Sequence, residues 1–180
     1  MQEDSVTPNT AHNRNSSITG NSKKRKFVGR RFEAFHRSRE LAVQFLCSLD
    51  LYPEQDFKQS LELFLTLDDV AQNDTPEIKD RCRTLAAEVW KRKNEIDAVL
   101  LRTVTGWRPE RMVSVDRTVL RLMVLEGFMI KSLPIKSAIT EAAALANDFG
   151  TKDSSRFVNG VMYKIAKYFE SEGLSDDGSE

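Results

Sequence analysis

Histidine and cysteine are scarce in this chain, with two of each among 180 residues. His12 and His36 fall in no metal-ligand spacing, and Cys47 and Cys82 do not complete a conventional four-ligand set with them. Both cysteines stand inside helical patterns without a local pairing motif, which argues against a disulfide framework and reads as core thiols in a reducing compartment. A Gly-rich phosphate loop, a dinucleotide fingerprint and a nucleophile elbow are all missing. Glu126 and Glu141 are carboxylates that folding could bring together, but sequence separation does not place them at acid/base distance, and they are read as structural or solvated. The expectation is a protein that is not an enzyme and needs no cofactor.

Long apolar runs are lacking too. The densest, "TVLRLMVLEGFMI", is too short to span a bilayer and carries Arg121 and Glu126. The opening "MQEDSVTPNTAHNRNSSITGN" has no apolar centre of the kind a secretory signal requires. These two observations lead to the expectation of cytoplasmic residence with no membrane partner.

Net charge is absent only as a sum, because 27 Lys and Arg balance 27 Asp and Glu. "KKRKFVGRRFEAFHRSR", Lys23 to Arg39, holds eight basic residues and one Glu, whereas Glu170 to Glu180 holds five acids and no base. One pole therefore suits a polyanionic partner, and a solvated or targeting tail is the competing explanation.

What the sequence has in abundance is helical periodicity. Leu41, Ala42, Phe45, Leu46 and Leu49 form one apolar stripe, for a helix starting between Phe32 and Ser38 and ending near Pro53. A second helix is expected over Asp56 to Leu67. Thr75 as N-cap and Pro76 at the first helical position open a third element, with Ile78, Cys82, Leu85, Ala86 and Val89 on its apolar face. Ile96, Val99, Leu100 and Val104 continue the pattern, and the polar "WKRKNE" divides it into two helices. From Val115 to Ile130 apolar residues occur nearly all round, which marks a central helix enclosed by others. Ile135 to Phe149 and Ser154 to Phe169 supply the last two helices, separated by Gly150.

No alternating strand pattern and no internal repeat occurs, so the expectation is an all-α single domain of about six or seven helices. Residues 1–28 read as a disordered polar and basic tail, 29–169 as the folded helical domain and 170–180 as an acidic tail.

Two places carry phosphate-binding chemistry. Arg37 and Arg39 adjoin the first apolar stripe and would be mounted on an ordered helix, where guanidinium groups meet phosphates as a planar fork. Phe32, Phe35 and His36 beside them are able to stack on bases, and are equally able to pack the helix start. In "DFGTKDSSRFVNG", Lys152, Ser154, Ser155 and Arg156 surround the start of the last helix, where free backbone amides favour anions; the same residues also make an ordinary capped turn.

Three segments together resemble the NusB family of transcription antitermination factors: "RSRELAVQFL" at 37–46, "VDRTVLRLMVLE" at 115–126 and "PIKSAITEAAALANDFGTKDSSRFVNGVMYKI" at 134–165. The resemblance implies a helical fold in two subdomains that acts without catalysis. It further implies binding to the boxA element of ribosomal RNA leader transcripts, together with a small-subunit ribosomal protein, NusE, within a transcription elongation complex. The RNA surface it implies contains Arg37, Arg39, Lys152, Ser155 and Arg156, with Asp153 and Phe157 also keeping the family pattern.

Phe35 and His36 depart from the basic run usual there, for which Arg30 and Arg31 could substitute, and Cys47 replaces a frequent aromatic. Asp116 falls at an acidic position associated with the protein partner. Two alternatives stay open: a helical protein-interaction scaffold with an incidental basic tail, and a homodimer formed through the groove that would otherwise take the ribosomal protein.

Overall fold

The computed structural model describes residues 18–52 and 54–173, with the side chains of residues 18–28 and 30 outside the description. Among the described residues eight α-helices follow one another: α1 (Ile18–Leu51), α2 (Phe57–Leu65), α3 (Asp68–Asn73), α4 (Pro76–Lys91), α5 (Lys93–Thr103), α6 (Ser114–Val124), α7 (Ile135–Phe149) and α8 (Ser154–Ser171). A 3₁₀ turn, Pro109–Arg111, precedes α6, and a π-helical turn, Leu125–Met129, continues it. Strands are absent among the described residues, as the all-α expectation required.

The chain divides into two units, residues 1–34 and 35–180. The boundary falls between Ala34 and Phe35 rather than between two groups of helices. Of the first unit, the described part belongs to α1, in which Phe32 is exposed. Helix α1 begins at Ile18, earlier than the expected start between Phe32 and Ser38. The apolar stripe marks only where a helix is buried, and Lys and Arg are good helix formers that continue it without one. Residues 1–17 and 174–180 lie outside the described residues.

In the second unit the predicted stripes form one core. Leu41, Phe45 and Leu49 of α1, Cys82 and Leu85 of α4, Ile96 and Leu100 of α5, Leu145 of α7 and Met162 and Ile165 of α8 are all buried. Helix α6 is enclosed from Thr118 onward and packs against α4, α5, α7 and α8, which makes it the central helix its composition announced. Thr75 caps α4 by accepting from the Ile78 amide at 3.4 Å, with Pro76 at the first helical position. Arg92 separates α4 from α5 within the polar interval. Gly106, at φ 75°, makes the break before α6 in a conformation other residues rarely adopt.

Helix α3 was not expected: its sequence "DDVAQN" buries only Val70, too little to leave a periodic signal.

Close approach positions α7. A Cβ placed on Gly127 in the π turn would lie 2.8 Å from Ala138 Cβ, so a glycine and an alanine together let the two elements touch. Phe128 packs on Phe169 of α8, with ring centroids 4.9 Å apart. On the other side of the core, Phe45, Phe57 and Trp90 join α1, α2 and α4 through ring contacts at 5.4 Å.

Candidate functional site

The junction of α7 and α8 is a tight turn built around Gly150. A Cβ there would come within 2.5 Å of Ala146 O and of Ser154 Cβ and Oγ, so the chain passes only because glycine has no side chain. The Ser154 hydroxyl accepts from the Thr151 amide at 2.9 Å and is buried, which turns the cap of α8 inward. Asp153 occupies the N-cap position but makes no side-chain capping bond. Outside this buried cap stand Lys152 and Arg156, both exposed, with Ser155 half-buried between them and Phe157 45% exposed beyond. Neither Lys152 nor Arg156 has an ion-pair partner among the described residues, so both cations face solvent beside the amide end of an 18-residue helix.

His36 links α1 to this region. Its Nδ1 lies 2.9 Å from Glu141 Oε1, and its Nε2 lies 3.8 Å from Asp148 Oδ2. Asp148 is at the C-terminal end of α7, two positions before Gly150. The start of the second unit and the turn before α8, far apart in sequence, therefore lie side by side.

The two arginines expected to face phosphate are committed elsewhere. Arg39 is 2% exposed, a burial that does not fit a direct phosphate contact. Its Nε donates to Glu126 Oε2 at 2.6 Å and its Nη1 to Glu141 Oε1 at 3.0 Å. Burial alone would lower its pKa, but the bonds and charges of the two glutamates outweigh that and hold it above the ordinary value. Arg37 is partly exposed and clamps Asp74 with two bonds at 2.9 and 3.0 Å while also donating to Glu40 at 3.0 Å. The hydrogen bonds to Asp74 raise its pKa above the usual arginine value. Arg37 thus keeps an accessible edge, whereas Arg39 acts inside the fold.

Arg81, which the sequence reading passed over, completes the buried network. Its Nη2 donates to Glu126 Oε1 at 2.6 Å and its guanidinium sits 4.4 Å over the Phe35 ring. That contact covers the face Phe35 was expected to offer to bases. Burial pulls the Arg81 pKa down despite the neighbouring glutamate. Glu126 itself is fully enclosed, and Ser132 adds a weaker bond at 3.4 Å. The one signal in the sequence was Glu126 itself, a charge within "LMVLEGFM" where every neighbour is apolar or glycine.

Asp116 stands in the first turn of α6, where the helix dipole favours a carboxylate. It is 6% exposed, and its Oδ1 is buried without a hydrogen-bond partner. An acidic contact to a partner is therefore confined to a narrow edge of this residue. Arg31 is exposed within the first unit, and the side chain of Arg30 lies outside the described residues.

Comparisons with known proteins agree with one another. The sequence model described as NusB family matches residues 36–167. The transcription antitermination protein NusB of Symbiobacterium thermophilum is 33% identical over 144 residues, covering 78% of this chain and 94% of that one. Among solved structures, T. maritima NusB superposes with a TM-score of 0.64 at 31% identity, covering 74% of this chain and 90% of that one. A crystal structure of the antitermination factors NusB and NusE in complex with dsRNA shares the fold, with a TM-score of 0.65, 20% identity, and coverage of 76% and 98%.

Proposed function

The chain belongs to the NusB family of transcription antitermination factors, and from that premise we propose that it binds the boxA element of ribosomal RNA leader transcripts together with the ribosomal protein NusE, in the cytoplasm. The role is non-catalytic, as for the family. The observation that carries the RNA reading is the pair of exposed, unneutralised cations Lys152 and Arg156 at the amide end of α8. Phosphate contacts there supply affinity and register, and Phe157, half-exposed in the same turn, offers a ring to an unstacked base. Arg37 contributes from the adjoining helix through its accessible edge, and Ser155 through its hydroxyl. Arg39 contributes by holding α1 against the π turn and α7, not by touching RNA.

Support for the partner comes from the solved NusB–NusE complex on dsRNA, whose fold this chain shares. Asp116 is the residue we assign to that contact. Arg30 and Arg31 extend the basic segment toward the N-terminus in sequence and complete the proposed RNA set.

The test is RNA binding at controlled salt, with and without purified NusE, comparing a boxA-like strand with a scrambled one. The expected result is a preference for boxA that NusE strengthens. Binding that follows total charge, with no preference and no effect of NusE, overturns the reading in favour of a helical protein-interaction scaffold.

A further inference from the structure

His36 and Glu40 stand one helical turn apart on α1, and Asp148 reaches the same spot from the end of α7. His36 Nε2 lies 3.6 Å from Glu40 Oε1 and 3.8 Å from Asp148 Oδ2, and the donor atoms of all three residues fall within 4.8 Å of one another. A zinc ion bonded to nitrogen and oxygen at about 2.0–2.1 Å in a tetrahedron separates its ligand atoms by about 3.4 Å. The two distances from His36 Nε2 are therefore within a few tenths of an ångström of the spacing one ion would impose.

Each donor is also aimed by a second bond on its far side. Glu141 Oε1, which also accepts from Arg39 at 3.0 Å, lies 2.9 Å from His36 Nδ1 and so fixes the orientation of the ring. The other ring nitrogen, Nε2, is thereby directed at the carboxylate oxygens of Glu40 and Asp148. Carboxylate-oriented imidazoles of this kind are the usual arrangement behind a metal-bound histidine. Glu40 accepts from Arg37 Nη1 at Oε2, 3.0 Å, and keeps Oε1 for the cluster. Asp148 accepts from the Asn147 side-chain amide at Oδ1, 3.2 Å, and keeps Oδ2.

Charge points the same way. Glu40, Asp69, Asp74, Glu126, Glu141 and Asp148 set six carboxylates against the guanidinium groups of Arg37, Arg39 and Arg81 in one connected network. The carboxylates outnumber the guanidinium groups by three, an excess that favours a bound cation. The site escaped a search for His and Cys spacings because two of its three donors are carboxylates, one of them 112 positions away from His36.

We propose that His36 Nε2, Glu40 Oε1 and Asp148 Oδ2 bind one divalent transition-metal ion of the zinc class, with water completing its coordination. One imidazole among the donors favours such an ion over magnesium or calcium. The ion ties α1 to the end of α7 two residues before Gly150, and so steadies the turn that carries Lys152 and Arg156. The partly exposed position of all three side chains leaves it open to exchange.

The experiment is calorimetric titration of zinc chloride into the chelator-treated full chain without RNA, repeated with His36→Gln and Asp148→Asn. One ion per chain is expected, with each substitution weakening binding by more than about ten-fold, since even outer hydrogen-bond partners of a metal ligand contribute that much. Asp148 lies at an exposed helix end, so its variant stays informative if His36→Gln disturbs folding. Cobalt in place of zinc should give visible d–d absorption without a thiolate charge-transfer band, and magnesium chloride should give no heat of binding. Absence of saturable zinc binding, affinity unchanged in both variants, or a thiolate band pointing to Cys47 or Cys82 overturns the proposal. None of these outcomes bears on boxA binding, which is measured separately.

Discussion

Arg39 on α1 and Glu126 in the π turn after α6 form a two-armed ion pair, Nε to Oε2 at 2.6 Å and Nη2 to Oε1 at 3.2 Å, with Glu126 wholly shielded from water. Such a pair contributes less by its attraction than by the penalty that follows when one member is removed, because the survivor is left as a buried charge. Arg39→Ala is therefore expected to lower the unfolding free energy by about 3–5 kcal/mol. Urea denaturation followed by circular dichroism measures it, and a loss below about 1 kcal/mol would mean that Arg81 alone satisfies Glu126.

The turn before α8 allows a paired prediction. Gly150→Ala drives a Cβ into Ala146 O and Ser154, and overpacking of this kind costs about 1–3 kcal/mol. Gly160 lies within α8 with nothing inside 4 Å of an added Cβ, so Gly160→Ala should stabilise by roughly 0.5–1 kcal/mol. Opposite shifts in thermal midpoint for the two variants are the expected result.

How much of this was legible in the sequence depends on the range of the interaction. The central helix, the Thr75 cap, the break at Gly106 and the two last helices are local or periodic features, and each stands where its residues indicated. The six-residue α3 buries too little apolar surface to leave a stripe, and the start of α1 has no apolar periodicity in its sequence. Lys152 and Arg156 could be read as surface cations because capping residues announced a helix start. Arg39 could not be read correctly: its partners lie 87 and 102 positions away, and nothing near it distinguishes a buried arginine from an exposed one.

Burial pushes the Cys82 thiol up to about 12, while Cys47 is only partly buried and is raised by the same cause. A thiol with a raised folded value contributes stability below its unfolded pKa, near 8.5, and loses it as pH climbs toward the folded value. Stability should thus decline between about pH 8.5 and 12, by less in Cys82→Ala after allowance for that variant's own cavity. At pH 8, a thiol reagent is expected to modify Cys47 well before Cys82, with Cys82 reacting only on unfolding. Equal rates in the native protein would contradict the buried placement.

Asp116 offers a contrast between two costs. Its Oδ1 is buried with no partner, so the carboxylate is held at some expense to the fold, and Asp116→Asn should change stability little or improve it. If the residue meets a basic group of NusE, the same substitution removes a charge from that contact and should weaken association several-fold. Direct RNA binding should be unaffected, because the exposed cations Lys152 and Arg156 stand in the turn before α8 and on its first turn, not on α6. Calorimetry with NusE alone, and separately with boxA RNA, distinguishes the two effects.

Salt dependence separates direct phosphate contacts from structural ones. Each phosphate contact to single-stranded RNA steepens the fall of log affinity with log salt by about 0.7. Lys152→Ala and Arg156→Ala should each flatten that slope by about this amount while leaving helical content intact. Arg39→Ala should weaken binding only to the extent that it unfolds the protein, with the slope per folded molecule unchanged. The reverse pattern, a flatter slope for Arg39→Ala and none for Arg156→Ala, would require the buried network to open and present Arg39 to RNA. That opening should then appear as faster hydrogen exchange at the α1 amides around Arg39 in the presence of boxA RNA.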